Sequence, residues 1–193
     1  MATDNYDRMR GFSLLELIMA MAIGLIVLST AYTIFAVQNK SLKNQEQIVE
    51  MQQNVRAAMD MVCRDVRMAG YNPARATFAG VIVDSSQLEI KTDLDGDAAI
   101  SSQEDIVYAL DSSTLRIMRS AGGSPHTLAE NIEGFTFQYL DAAGNVTAAN
   151  ANVRMIGVTI RGRTALPDPL YHVNGGYRTY TLTSKVIARN LAF

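Results

Sequence analysis

The chain has 193 residues and a formal net charge of −2, so it lacks the basic excess expected of a nucleic-acid binder. Cys63 is its single cysteine, which excludes an internal disulfide. The length leaves room for a long helix and one domain of about 120 residues with its own core.

A short polar start, MATDNYDRMR, leads into Gly11, Phe12, Ser13, Leu14, Leu15 and Glu16, and an apolar run then continues to about Val37. The run is about 22 to 25 residues, long enough as a helix to cross a hydrocarbon core. A secretory signal core is shorter, about 7 to 15 residues. Glu16 is the only charge inside the run. A carboxylate at membrane depth costs roughly 2.5 to 3.5 kcal/mol on insertion scales, which calls for a use. Arg8 and Arg10 precede the span and favour a cytoplasmic N-terminus; Lys40 and Lys43 follow it and weaken the asymmetry.

At these residues the sequence resembles the type IV pilin superfamily. Gly11, Phe12 and Glu16, set between a short basic leader and an apolar helix, match the prepilin signature. The resemblance implies cleavage between Gly11 and Phe12 by a prepilin peptidase and N-methylation of the new Phe12 amine. It also implies that Glu16 docks the subunit in a filament. A buried carboxylate needs a partner, and a neighbouring subunit's terminal amine supplies one.

From Gln38 to Ala69 the sequence turns polar but keeps a helical rhythm. Ile48, Met51 or Gln52, Val55, Met59, Val62 and Val66 recur every three or four residues, between charges such as Lys43, Glu50, Arg56 and Arg64. No proline occurs before Pro73, and Gly70 with Pro73 forms a stop signal. One helix of about 55 residues is expected, with one stripe of its second half against a globular head. Cys63, beside Val62, reads as a small packing residue.

Beyond Pro73 the period changes to two. Strands are expected over 80–83 and 87–92, joined across Asp84, Ser85 and Ser86, and over 105–110 and 114–119 around Asp111, Ser112 and Ser113. Further strands are expected over 134–140, with Phe135, Phe137 and Tyr139 on one side, over 153–161, with Ile156, Val158 and Ile160 on one face, and over 178–188. Residues 141–145 read as a turn. The fold class is α+β: a long N-terminal helix, membrane-spanning in its first half, packed on an antiparallel sheet. The expected segments are a leader over 1–11, the helix over 12–70, spanning the membrane to about Val37, and a β-rich periplasmic head over 71–193.

Parts of the head resemble the PilW-like minor pilins, with the J-type pseudopilins of type II secretion as relatives. The similar stretches are Arg64 to Tyr71, Leu128 to Tyr139 with Asp141 and Gly144 in the next turn, and Tyr177, Arg178, Leu182, Val186, Arg189, Asn190 and Leu191. The resemblance implies a minor pilin that assists initiation or assembly of a type IV pilus. Its implied partners are the prepilin peptidase, other minor pilins, the major pilin and the inner membrane. A type II secretion pseudopilin and a calcium-stabilised tip adhesin are the alternatives.

A second chemical signal runs from Asp93 to Glu104. Counted from Asp93, carboxylates fall at positions 1, 3, 5 and 12 of a calcium loop: Asp93, Asp95, Asp97 and Glu104. Ala99 offers the carbonyl of position 7 and Ser101 a water-bridged ligand at position 9. The glycine usual at position 6 is replaced by Ala98, and Gly96 comes two residues early. Predicted strands flank the loop, so calcium would sit in a β setting.

Catalysis finds little support. His126 and His172 lie in loop-like segments without metal-ligand spacing, and the serines show no nucleophile elbow. Gly122-Gly123 and Gly175-Gly176 read as turns. Tyr171, His172, Tyr177 and Tyr180 read as strand and loop packing rather than a binding patch.

Overall fold

The computed structural model describes residues 12–191. The leader over 1–11, with Arg8, Arg10 and Gly11, lies outside them. The chain divides into two compact units, one up to Gln45 and one from Glu46 onward.

In the first unit, the described residues from Leu14 belong to helix α1 (Leu14–Met68). Every residue from Phe12 to Lys43 is exposed. The hydroxyls of Ser29, Thr30 and Thr33 donate to the carbonyls of Ile26, Ile26 and Ser29, each at 2.9 Å. That leaves the apolar stretch without an unpaired hydroxyl hydrogen at these positions.

The second unit begins inside α1, so the polar half of the helix belongs with the head. Met51, Val55, Ala58, Met59, Val62, Cys63 and Val66 form its buried stripe. The spacing keeps them on one side of a 3.6-residue helix. Ile48, expected in that stripe, is only half-buried. Gly70 ends the helix in the left-handed region, φ 74°, as a C-terminal glycine does.

Among the described residues, eight antiparallel strands follow. The first sheet runs in the order β1 (Val81–Ile82), β2 (Gln87–Lys91), β3 (Asp105–Asp111), β4 (Arg116–Ala121), β5 (Ser124–Ala129). The second is β6 (Ile132–Leu140), β7 (Met155–Arg163), β8 (Thr179–Ile187). In the first sheet Leu88 pairs with Tyr108 and Ile90 with Ile106; in the second Phe135 pairs with Ile160 and Tyr139 with Ile156. These residues and the α1 stripe from Val55 to Val66 share one hydrophobic core.

The single sheet expected from the alternating pattern is therefore two. Asn131, at φ 57°, turns the chain sharply after β5. The Arg163 amide then donates to the Asn131 carbonyl at 2.8 Å, and β6 pairs with β7 instead of β5. β5 itself was not expected, and His126 lies in it rather than in a loop. Pro125 masks the strand in the sequence, because proline lacks the ladder N–H and is tolerated at a sheet edge, where β5 stands. A short 3₁₀ turn, Asn150–Asn152, precedes β7, which starts later than expected.

Candidate functional sites

Two segments carry the chemistry read from the sequence. The first is the start of α1. The Glu16 amide donates to Ser13 Oγ at 3.2 Å, and the Ser13 amide donates to Glu16 Oε2 at 3.4 Å. This is a capping box: residue and N3 partner each satisfy an otherwise orphaned donor of the first turn. Glu16 is exposed, and its acidity also suits the positive end of the helix dipole. The serine and glutamate spacing before an apolar run is the signal that could have revealed this second role.

From Leu14 onward, α1 is long and apolar enough to cross a membrane, and its apolar stretch is not buried.

The second segment joins β2 to β3. Asp93, Asp95 and Asp97 each offer a carboxylate oxygen, all within 4.8 Å of one another. Asp93 is fully buried, whereas Asp95 and Asp97 are exposed. Asx-type bonds shape the turn: Asp93 Oδ1 accepts the Gly96 N–H at 2.8 Å, and Asp97 Oδ1 accepts the Ala99 N–H at 2.8 Å. Ala98 adopts φ 68°. It therefore takes up the left-handed conformation for which a calcium loop ordinarily uses glycine.

Glu104 stands apart from the converging trio. Its Oε1 accepts the N–H groups of Leu94 and Asp95, and its Oε2 accepts that of Ser101 at 2.9 Å. These bonds, led by those from Ser101, lower its carboxyl to about 2. Glu104 is thus ionised at neutral pH and braces the loop from its base.

Cys63 and the tyrosines among the remaining candidates pack against the head. Cys63 is buried, with its thiol 3.8 Å from Ser184 Oγ. The Arg178 guanidinium stacks over the Tyr171 ring at 4.8 Å and Arg163 over Tyr177 at 4.1 Å. Tyr180 is half-buried in β8, and His172 stays exposed in the loop before it.

A polar clamp escaped the sequence reading. The Tyr108 hydroxyl donates to Asp65 Oδ2 at 2.5 Å, and Arg119 Nε donates to the same oxygen at 3.0 Å. Asp65 is on α1, Tyr108 on β3 and Arg119 on β4. Burial, and then the Asp65 carboxylate, push the Tyr108 hydroxyl well above its ordinary pKa.

Residues 7–32 match the family described as the prokaryotic N-terminal methylation motif. The chain is 39% identical over 61 residues to the pilin-like protein PilA3 of Thermus thermophilus, a stretch covering 32% of this chain and 26% of that protein. The match thus spans about a quarter of that relative's length. A solved type IV-like pilin from Thermus thermophilus aligns with 74% of this chain and 97% of its own, with a TM-score of 0.47 and 14% identity. With the methylation motif leading into a membrane-length apolar helix, and with the stretch shared with PilA3, the N-terminal part of the chain is similar to type IV pilin-like proteins.

Proposed function

We propose that this chain is a PilW-like minor pilin that assists initiation and assembly of a type IV pilus. The observation that carries this reading is the methylation motif over residues 7–32 running straight into an exposed apolar helix. An apolar surface of that length is unfavourable in water and needs lipid, or the helices of other subunits, around it.

The precursor inserts into the inner membrane with Arg8 and Arg10 on the cytoplasmic side and the head in the periplasm. A prepilin peptidase cuts between Gly11 and Phe12, and the freed Phe12 amine is methylated. The Glu16 carboxylate then meets the terminal amine of a neighbouring subunit, which offsets its desolvation and sets the axial register. Apolar helices of several minor pilins pack side by side, displace lipid and prime addition of the major pilin. The role is structural rather than enzymatic.

Mass spectrometry of the chain recovered from cells tests the processing step. A mature form beginning at methylated Phe12 is expected; a chain retaining residues 1–11 with an unmodified terminus would overturn the reading. Deleting the gene and scoring surface fibres against exported enzymes tests the assembly role. Loss of fibres supports the minor pilin, whereas loss of export with fibres intact assigns a type II secretion pseudopilin instead.

A further inference from the structure

The β2–β3 connection is closed at its own neck and tied to the rest of the domain at two points. The Asp93 amide donates to the Tyr71 carbonyl at 2.8 Å, just past the end of α1. The Thr92 amide donates to the Glu104 carbonyl at 3.0 Å, and the Gly122 amide in the β4–β5 turn donates to the Ser102 carbonyl. Whatever fixes this loop therefore fixes the helix exit and two strand connections together.

One atom in it lacks what its surroundings demand. Asp93 is fully buried, and its Oδ2 accepts no hydrogen bond. Its other oxygen is occupied by the Gly96 N–H. A buried carboxylate oxygen without a donor carries a desolvation penalty that proteins rarely leave uncompensated. The groups that converge with Asp93 are not donors but two more carboxylates, Asp95 and Asp97. Three acids so close repel one another, and a cation between them removes both the repulsion and the orphaned oxygen.

We propose that Asp93, Asp95 and Asp97 bind a calcium ion that locks the helix exit to the first sheet. The donors are all oxygens, with no histidine or cysteine in the converging group, which suits a hard cation rather than zinc or copper. Asp95 and Asp97 are exposed, so water and the nearby Ala99 carbonyl can complete the six to eight oxygens that calcium takes. Magnesium demands near-ideal octahedral geometry and gives up water reluctantly, so an irregular loop of this kind favours calcium. Glu104 is a positioning residue: by holding the N–H groups of Leu94, Asp95 and Ser101 it keeps the loop closed around the ion.

The test uses the full-length protein in detergent, stripped with chelator and titrated calorimetrically with calcium or magnesium. One calcium per chain is expected, bound more tightly than magnesium, with a melting temperature that rises with calcium concentration, as ligand linkage requires. Asp93→Asn should abolish the uptake. Should that variant not fold, the exposed pair Asp95→Asn with Asp97→Asn keeps the test open, and it should weaken binding about tenfold or more by lowering the ligand charge. No calcium uptake by the wild-type chain, magnesium bound as tightly as calcium, or unchanged affinity in the exposed-pair variant would each overturn the assignment.

Discussion

Gly80 lies so close to Gly70 that a Cβ on Gly80 would stand 2.4 Å from both the Cα and the N of Gly70. This contact brings the entry to β1 against the end of α1. The Gly70 amide donates to the Lys91 carbonyl at 2.9 Å, and the Lys91 amide donates to the Gly80 carbonyl at 2.9 Å. The helix terminus is thereby stitched to β2. Gly80→Ala must push backbone against backbone, and overpacking of that kind costs about 3 kcal/mol. Gly24→Ala, where a Cβ meets nothing within 4 Å, serves as the control. Denaturant melts should show a large drop in midpoint for the first and none for the second; equal midpoints would show that the close contact is not made.

The Asp65, Tyr108 and Arg119 clamp should contribute measurably to stability. Hydrogen bonds to an ionised group are stronger than neutral ones, and Tyr108→Phe removes the bond donated to Asp65 and the one accepted from Arg119 Nε while keeping the ring. A loss of about 2 kcal/mol is expected. A double-mutant cycle with Asp65→Asn should give a coupling of comparable sign; a coupling of zero would show the hydroxyl and carboxylate acting independently.

Asp111 makes part of the stability pH-dependent. Bonds from the Ser113 hydroxyl, and then the Thr114 hydroxyl, lower its carboxyl to about 2. An unfolded aspartate titrates near about 3.9. The folded value lies below the unfolded one, so the contribution is fully present above about pH 4 and is lost as pH falls towards about 2. Asp84 and Asp141 are lowered in the same direction by the backbone N–H groups of their own turns. The difference in melting temperature between wild type and Asp111→Asn should be constant above about pH 5 and shrink towards about pH 2. A difference that stays constant throughout would refute the role of the turn.

Glu16 caps α1 with Ser13, and the proposed docking role is separable from that cap. Glutamine at this position preserves the capping box with Ser13 but removes the charge, whereas alanine removes both. If docking depends on the carboxylate, both Glu16→Gln and Glu16→Ala lose incorporation into fibres while still fractionating with membranes. Ser13→Ala, which impairs only the cap, should keep incorporation. Normal incorporation of the glutamine variant would leave the cap as the whole explanation of Glu16.

Ala98 occupies a left-handed conformation, φ 68°, which costs a residue with a Cβ about 1 to 2 kcal/mol. Ala98→Gly should relieve that strain, offset partly by the greater entropy of an unfolded glycine. A net gain of about 0.5 to 1 kcal/mol in chemical denaturation is expected; a loss would show the loop adopting another backbone path.

Much of this architecture is local and therefore legible in the chain itself. A 3.6-residue rhythm with no proline specifies α1, Gly70 ends it, and the aspartate-serine turns set the β1–β2 and β3–β4 hairpins. Side-chain alternation likewise announced the buried faces of β6 and β7. The three converging aspartates were also visible, because their spacing lies within one loop. Alternation, however, tells which way a side chain faces and not which strand is its neighbour. Pairing rests on contacts distant in sequence, so only the tertiary structure separated β6 from β5, gave Pro125 its edge position and brought Tyr108 and Arg119 to Asp65. For the same reason it took the folded chain to show that Asp93 is wholly buried with one oxygen unmatched. Burial is a property of what surrounds a residue, and those surroundings come from remote parts of the chain.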